Sequence, residues 1–110
     1  MIRGIGVDIV DNRRILKLLE KWSDRFLDKV FTKEELKFLE SDVRRVELVA
    51  SRWALKEAII KATGIKDKKR IEILGKGENL NLRVDGLEGN LLYSISHERD
   101  YSVAFVIWLC

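Results

Sequence analysis

The sequence predicts a single-domain α+β protein that spans residues 1–110. A chain of 110 residues has the usual length of one domain. After a short initial strand, apolar repeats of helical spacing occupy residues 12–63, whereas strand-like segments follow from residue 71. Helices and strands that occupy separate parts of a chain in this way are typical of the α+β class.

The first predicted strand covers residues 2–10 (IRGIGVDIV), which are rich in β-branched side chains. Gly4 and Gly6 weaken a strand, and they predict a bulge or a close approach of another backbone. Asp8 lies inside this apolar run, where a carboxylate is costly unless it is paired with a cation or bound to a metal.

A helix is predicted from Asn12 to about Lys29, with either Asn12 or Asp11 as its N-cap. Its core stripe recurs at helical spacing: Ile15, Leu19, Trp22 and Phe26. A second stripe is basic, and Leu18 lies between the two. We expect this basic and apolar surface to receive an acidic protein partner; its residues are Arg14, Lys17, Leu18, Lys21 and Arg25.

Two more helices are predicted before the β-rich part of the chain. The segment 32–35 (TKEE) is a capping box that begins a short helix ending near Leu39, for which we expect a purely structural role. Residues 44–63 form the longest helix, and Gly64 suits its C-terminal cap. This helix is apolar on two sides, which predicts that it is packed on both and central. Glu57 projects from one of these faces.

The rest of the chain predicts β-strands at residues 71–74, 80–85, 91–96 and 101–109, punctuated by glycines. The polar segment 97–100 (HERD) should join the last two strands as a hairpin.

Composition excludes several classes of protein. With 46% hydrophobic and 35% charged residues, the sequence is that of a soluble globular protein. We expect no secretory leader, and no apolar run reaches the roughly 20 residues needed to cross a bilayer. The only cysteine is Cys110, which excludes disulfides within the chain and cysteine-rich metal sites and favours a cytoplasmic location. The net charge of +3 is too small to identify a nucleic-acid-binding protein, although residues 66–70 (KDKKR) are locally basic.

Two carboxylates, Asp8 and Glu57, lie on faces that should be buried, where they would repel each other unless a cation joins them. Two carboxylates completed by water and phosphate oxygens are a typical Mg²⁺ environment. The alternative is that Glu57 pairs with Lys61 one turn later and Asp8 pairs with a nearby arginine. The long helix also carries cations that would suit a polyphosphate: Arg52, Lys56 and Lys61.

Four motifs occur in order along nearly the whole chain: GIGVDIV at 4–10, FTKEEL at 31–36, RWALKEA at 52–58 followed by Lys61-Ala62, and SISH at 94–97. Together they resemble the holo-[acyl-carrier-protein] synthases, the short single-domain group of the 4'-phosphopantetheinyl transferases. The resemblance implies an antiparallel sheet wrapped on a long central helix, and a homotrimer with active sites at subunit interfaces. It implies transfer of 4'-phosphopantetheine from coenzyme A to a serine of apo-acyl carrier protein, in fatty acid biosynthesis, with adenosine 3',5'-bisphosphate as the other product.

The same resemblance assigns roles to individual residues. Asp8 and Glu57 become the Mg²⁺ ligands, and Glu57, directly or through a metal-bound water, takes the serine proton. Lys61 holds phosphate oxygens and stabilises the transition state. Further contacts to coenzyme A are expected from Arg52, Lys56, Gly64 and His97. The basic stripe of the first helix resembles the surface that receives the acidic carrier protein.

The chain departs from the family pattern in two places. The segment 62–65 (ATGI) is shorter than the glycine-bearing loop of the family and runs directly into the basic segment 66–70, so family contacts beyond Gly64 are not carried over. The family's Gly-Lys-Pro before the next strand is replaced by Gly75-Lys76-Gly77. Neither change affects Asp8 or Glu57.

The sequence is also compatible with two alternatives. One is a basic module that holds nucleic acid through residues 66–70, although such binding has no need of Asp8 and Glu57. The other is a non-catalytic trimer of the same fold that binds coenzyme A. We favour the enzyme, and expect neither a nucleic acid nor a membrane as partner.

Overall fold

The computed structural model describes residues 1–22, 24–40 and 45–110. Strand β1 (Ile2–Asp11) leads into helices α1 (Asn12–Trp22), α2 (Asp24–Val30), α3 (Lys33–Glu40) and α4 (Arg45–Thr63). Strands β2 (Ile71–Leu74), β3 (Asn81–Val84), β4 (Asn90–His97) and β5 (Tyr101–Leu109) follow. Short 3₁₀ turns at Lys68–Arg70 and Gly77–Asn79 precede β2 and β3. Position 44, which the sequence assigns to the long helix, lies outside the described residues.

The strands form two antiparallel sheets, one of three strands in the order β1-β5-β4 and one formed by β2 and β3. Helix α4 contacts all three strands of the larger sheet on one side and α1 and α3 elsewhere. This is the predicted arrangement of an antiparallel sheet on a long central helix. The core joins α4 to β5, β2 and the first three helices through these buried apolar residues: Ile15, Leu27, Phe31, Leu39, Val49, Ala54, Leu55, Ile59, Ile71, Ala104 and Val106.

The predicted glycine contact in β1 is present. A Cβ atom at Gly6 would collide with the carbonyl oxygen of Ala58, and one at Gly4 with that of Ala62. Only glycine lets the strand backbone lie this close to α4. The register between β1 and β5 also shifts between Ile2 and Gly4, so the predicted bulge and the predicted close approach both occur.

The described residues of the predicted helix from Asn12 to about Lys29 lie in α1 and α2, on either side of position 23, which is outside the described residues. Phe26 stacks on Trp53 of α4 with ring centroids 5.1 Å apart, whereas Trp22 is 47% exposed and is not a core residue. The core stripe predicted from the sequence is therefore wrong at Trp22.

The two ends of the helical region are fixed in different ways, by polar side chains at the start of α1 and by a glycine at the end of α4. Of the two candidate N-caps of α1, Asp11 caps it, because its Oδ1 accepts the Arg13 N–H at 2.9 Å. The buried Asn12 instead donates to the Glu98 and Arg99 carbonyls, which holds the β4–β5 hairpin turn against the start of α1. Gly64 ends α4 with a φ of 82°, a left-handed conformation that favours glycine.

The capping box is confirmed. Glu35 Oε1 accepts the Thr32 N–H at 2.9 Å, and Thr32 Oγ1 accepts the Glu35 N–H at 3.2 Å. Among the described residues, none of the helices is long and apolar enough to cross a membrane.

Candidate active site

Asp8 and Glu57 line one groove of about 680 Å³, which we call the carboxylate groove. Asp8 lies on the β1 face that meets α4, and Glu57 projects from α4 itself. Their side chains are 17% and 25% exposed, so both are half-buried and still open to solvent. The other lining residues are Ile9, Val10, Asp11, Arg14, Ile15, Leu18, Phe26, Trp53 and Tyr101.

Each of these carboxylates is paired with a lysine. Lys61 Nζ lies 3.1 Å from Asp8 Oδ1 and also donates to the Val7 carbonyl at 2.9 Å. Lys68 Nζ lies 3.1 Å from Glu57 Oε1. The sequence offered the alternative that Glu57 pairs with Lys61 and Asp8 with an arginine. Both partners are wrong, because Lys61 pairs with Asp8, and Glu57 pairs with a lysine of the basic segment 66–70.

Arg52 and His97 line a different groove, of about 540 Å³, which we call the arginine groove. Arg52 is 3% exposed and donates to the Gly75 carbonyl, and its Nε is buried without a hydrogen-bond partner among the described residues. Burial lowers the pKa of this guanidinium, an effect that Glu35 and Tyr93 oppose. An arginine remains charged even so, and the arginine groove therefore presents a desolvated cation beside exposed His97.

Lys56, another predicted phosphate contact, reaches neither groove. Its side chain is fully buried, and Nζ donates to Glu35 Oε1 at 2.6 Å, to the Val30 carbonyl at 2.8 Å and to the Lys68 carbonyl at 3.0 Å. These partners use all three donors of the ammonium group. Burial lowers the pKa of this lysine, and Glu35 opposes that effect. In this chain Lys56 acts inside the fold, and we leave it out of the proposed phosphate contacts.

The remaining predicted site residues lie on the surface. Gly64 is exposed at the end of α4. The four basic residues of the predicted docking surface are exposed: Arg14, Lys17, Lys21 and Arg25. Leu18 is half-buried, and both Leu18 and Arg14 line the carboxylate groove. The docking surface thus adjoins the two carboxylates.

The sequence does not single out Lys68 as a site residue, because the basic run at residues 66–70 does not reveal which of its side chains packs against Glu57. Arg70 of the same segment donates twice to the Asp85 carbonyl, whereas Lys66 and Lys69 are exposed.

Comparison with known proteins decides the family. The family model described as the 4'-phosphopantetheinyl transferase superfamily matches residues 4–106. The chain belongs to this superfamily. It is 41% identical to the holo-[acyl-carrier-protein] synthase of Thermodesulfovibrio yellowstonii, over 97% of this chain and 98% of the relative. It is 42% identical to the same enzyme of Aquifex aeolicus, over 91% and 93% of the two chains.

Solved structures of the family have the same fold. The holo-[acyl-carrier-protein] synthase of Neisseria meningitidis superposes with a TM-score of 0.87 at 31% identity and covers 100% of both chains. The enzyme of Bacillus anthracis, solved in complex with CoA (3',5'-ADP), superposes with a TM-score of 0.84 at 33% identity and covers 98% of this chain and 96% of its own. The fold and family that the four motifs imply are thereby confirmed.

Proposed function

We propose that this chain transfers 4'-phosphopantetheine from coenzyme A to a serine of apo-acyl carrier protein. Holo-acyl carrier protein and adenosine 3',5'-bisphosphate are the products. The family match over residues 4–106 supports this activity. The observation that carries it is the carboxylate groove, which half-buried Asp8 and Glu57 both line and in which Asp8 pairs with the ammonium of Lys61.

We propose Mg²⁺ as the metal, held by Asp8 and Glu57. Their hard carboxylate oxygens and partial exposure fit an ion that keeps several waters. Among the described residues, no group of three or more histidine, cysteine or acidic side chains could hold a metal. The protein would therefore supply two ligands, and the remainder would come from water and from phosphate oxygens of coenzyme A. When bound, the ion neutralises charge on the attacked phosphate and on the leaving group.

The products define the bonds that change. Because adenosine 3',5'-bisphosphate leaves with the bridging oxygen, the serine Oγ must bond to the phosphorus on the pantetheine side of the diphosphate. Glu57 takes the serine proton as the new bond forms. Lys61 donates to phosphate oxygens and stabilises the charge that develops there. Arg52 and His97 are the proposed phosphate contacts of the arginine groove.

The acidic carrier protein would bind to α1 and the start of α2 through the predicted docking surface. Its cations are exposed and so can pair with acidic side chains of a partner, whereas Leu18 offers an apolar contact. Arg14 and Leu18 extend into the carboxylate groove, so a bound carrier protein would present its serine beside Glu57.

We propose a homotrimer with active sites between subunits. The outer face of β1 exposes Ile5, Val7 and Ile9 by 61%, 52% and 63%, an apolar strip that a second copy could cover. Within one chain, Arg52 and His97 are separated from the carboxylates in another groove. A neighbouring subunit could bring its arginine groove to the carboxylate groove and complete the site. Light scattering tests this assembly, and a monomer would contradict it.

The activity is tested by incubating the chain with coenzyme A, Mg²⁺ and apo-acyl carrier protein and measuring the intact mass of the carrier protein. We expect a gain of one phosphopantetheine group. Asp8→Ala and Glu57→Ala should each abolish the gain without unfolding the protein, while Glu34→Ala, at an exposed carboxylate, should not. Retained activity in both groove variants would contradict the metal assignment. We place this reaction in fatty acid biosynthesis in the cytoplasm.

A further inference from the structure

Lys68 pairs with Glu57 as Lys61 pairs with Asp8, but the proposed reaction gives Lys68 no role. Its Nζ lies 3.1 Å from Glu57 Oε1, and the two side chains are 27% and 25% exposed. The same ammonium lies over the ring of Trp53, 5.5 Å from its centroid. Two neighbouring groups therefore stabilise the positive charge at this place, one by ion pairing and one through its π face.

The backbone that carries Lys68 is held from inside the fold. The fully buried ammonium of Lys56 donates to the Lys68 carbonyl at 3.0 Å. One residue earlier, Asp67 Oδ1 accepts the Lys69 N–H at 3.0 Å and caps the 3₁₀ turn. Lys68 thus extends from an anchored turn, and its position beside Glu57 is built into the fold.

The charges of the site show what this lysine could do. Asp8 and Glu57 carry two negative charges, and Lys61 and Lys68 carry two positive charges, so the four groups together are neutral. A divalent cation that binds Glu57 repels the ammonium of Lys68 and competes with it for that carboxylate. The site would then hold two excess positive charges, which the diphosphate of coenzyme A can balance.

We propose that Lys68 competes with the divalent metal for Glu57 and, once displaced, donates to a phosphate oxygen of coenzyme A. This inference rests on the proposed function, because it assumes a metal at Asp8 and Glu57. Its consequence is that the metal and the phosphate-bearing substrate bind cooperatively. Without coenzyme A, the metal must break the Lys68–Glu57 ion pair, which lowers its affinity. With coenzyme A, the displaced lysine pairs with the diphosphate instead, so each ligand raises the affinity for the other.

Replacing Lys68 by methionine should therefore have two opposite effects. Without coenzyme A, Glu57 is free of its lysine, and affinity for Mn²⁺ should rise by about tenfold, since the pair is partly buried. With Mn²⁺ present, affinity for coenzyme A should fall by a similar factor, because one phosphate contact is missing. Lys68→Arg keeps the charge and should remain close to the unaltered chain in both measurements.

The experiment uses Mn²⁺ as a paramagnetic probe. Free Mn²⁺ is measured by electron paramagnetic resonance with and without coenzyme A, and coenzyme A binding is measured by calorimetry at saturating Mn²⁺. Lys69→Met is the matched control, because it removes an exposed lysine from the same turn. We expect it to change either affinity by less than about twofold. Thermal melting checks that each variant is folded.

Mn²⁺ binding to Lys68→Met no tighter than to the unaltered chain would overturn the inference, and so would an equal change in Lys69→Met. If the unaltered chain catalyses transfer with Mn²⁺ while Lys68→Met binds the metal normally, the inference alone has failed. If the unaltered chain binds no Mn²⁺ with or without coenzyme A, the proposed metal site is wrong. The proposed competition between Lys68 and the metal for Glu57 is then wrong as well.

Discussion

Replacing Lys56 by methionine should destabilise the fold by about 3 kcal/mol or more. Its ammonium lies 2.6 Å from Glu35 Oε1, and the two side chains are 0% and 1% exposed. Removal of the cation leaves Glu35 as a buried carboxylate that still accepts the Thr32 and Ile73 N–H groups. Loss of one partner of a buried ion pair costs about 3–5 kcal/mol, and the two remaining hydrogen bonds favour the lower end of that range.

The assay is urea unfolding followed by circular dichroism, with thermal melting as a second measure. For a domain of this length, the loss corresponds to a fall in melting temperature of more than roughly 10 °C. Lys37→Met is the matched control, because Lys37 pairs with Glu34 at 3.5 Å while their side chains are 75% and 62% exposed. An exposed pair contributes about 0–1 kcal/mol, so this variant should unfold almost as the unaltered chain does.

A double-mutant cycle with Glu35→Gln separates the ion pair from other losses. The double variant should lose less stability than the sum of the two single variants, by more than about 1 kcal/mol, because it leaves no unpaired buried charge. If Lys56→Met costs no more than Lys37→Met, or if the cycle is additive, the buried pair does not stabilise the fold as argued.

Three other predictions concern the strand, the docking surface and a surface ion pair. Gly6→Ala should destabilise the chain by about 3 kcal/mol in urea unfolding, because a methyl group meets a carbonyl of α4; an unchanged midpoint would refute the close contact. Lys21→Glu combined with Arg25→Glu should weaken carrier-protein binding at low ionic strength, and the loss should fade at high salt. Equal affinity at low salt would count against this docking surface. The Arg13 side chain, which donates to Asp11, lowers the pKa of that carboxyl below 3.8. The stability that this pair contributes is therefore present above pH 3.8 and is lost as the pH falls through the folded-state pKa, which an NMR titration would locate; an unshifted titration would contradict the pairing.

The sequence alone predicted the local elements well. Both ends of β1, the start of α3 and the end of α4 agree with the structure to within about two residues. The capping box at Thr32 and the cap at Gly64 were also correct. Each of these features depends on residues that are close together in the chain, on side-chain periodicity or on the backbone conformation of one residue. All of these can be inferred from the sequence without knowledge of distant contacts. The sequence likewise singled out Asp8 and Glu57, because a carboxylate inside an apolar pattern is visible without coordinates.

The tertiary structure decided which charged groups meet. Lys56, Lys61 and Lys68 look equivalent in sequence, yet the first is buried against Glu35, the second pairs with Asp8 and the third pairs with Glu57. The same holds for Trp22 and Phe26, which share a predicted stripe and differ in burial. Periodicity tells which side of an element is apolar, but not which element packs there. The partner of a long, flexible charged side chain depends on segments distant in the chain, and only the packed fold brings those segments together.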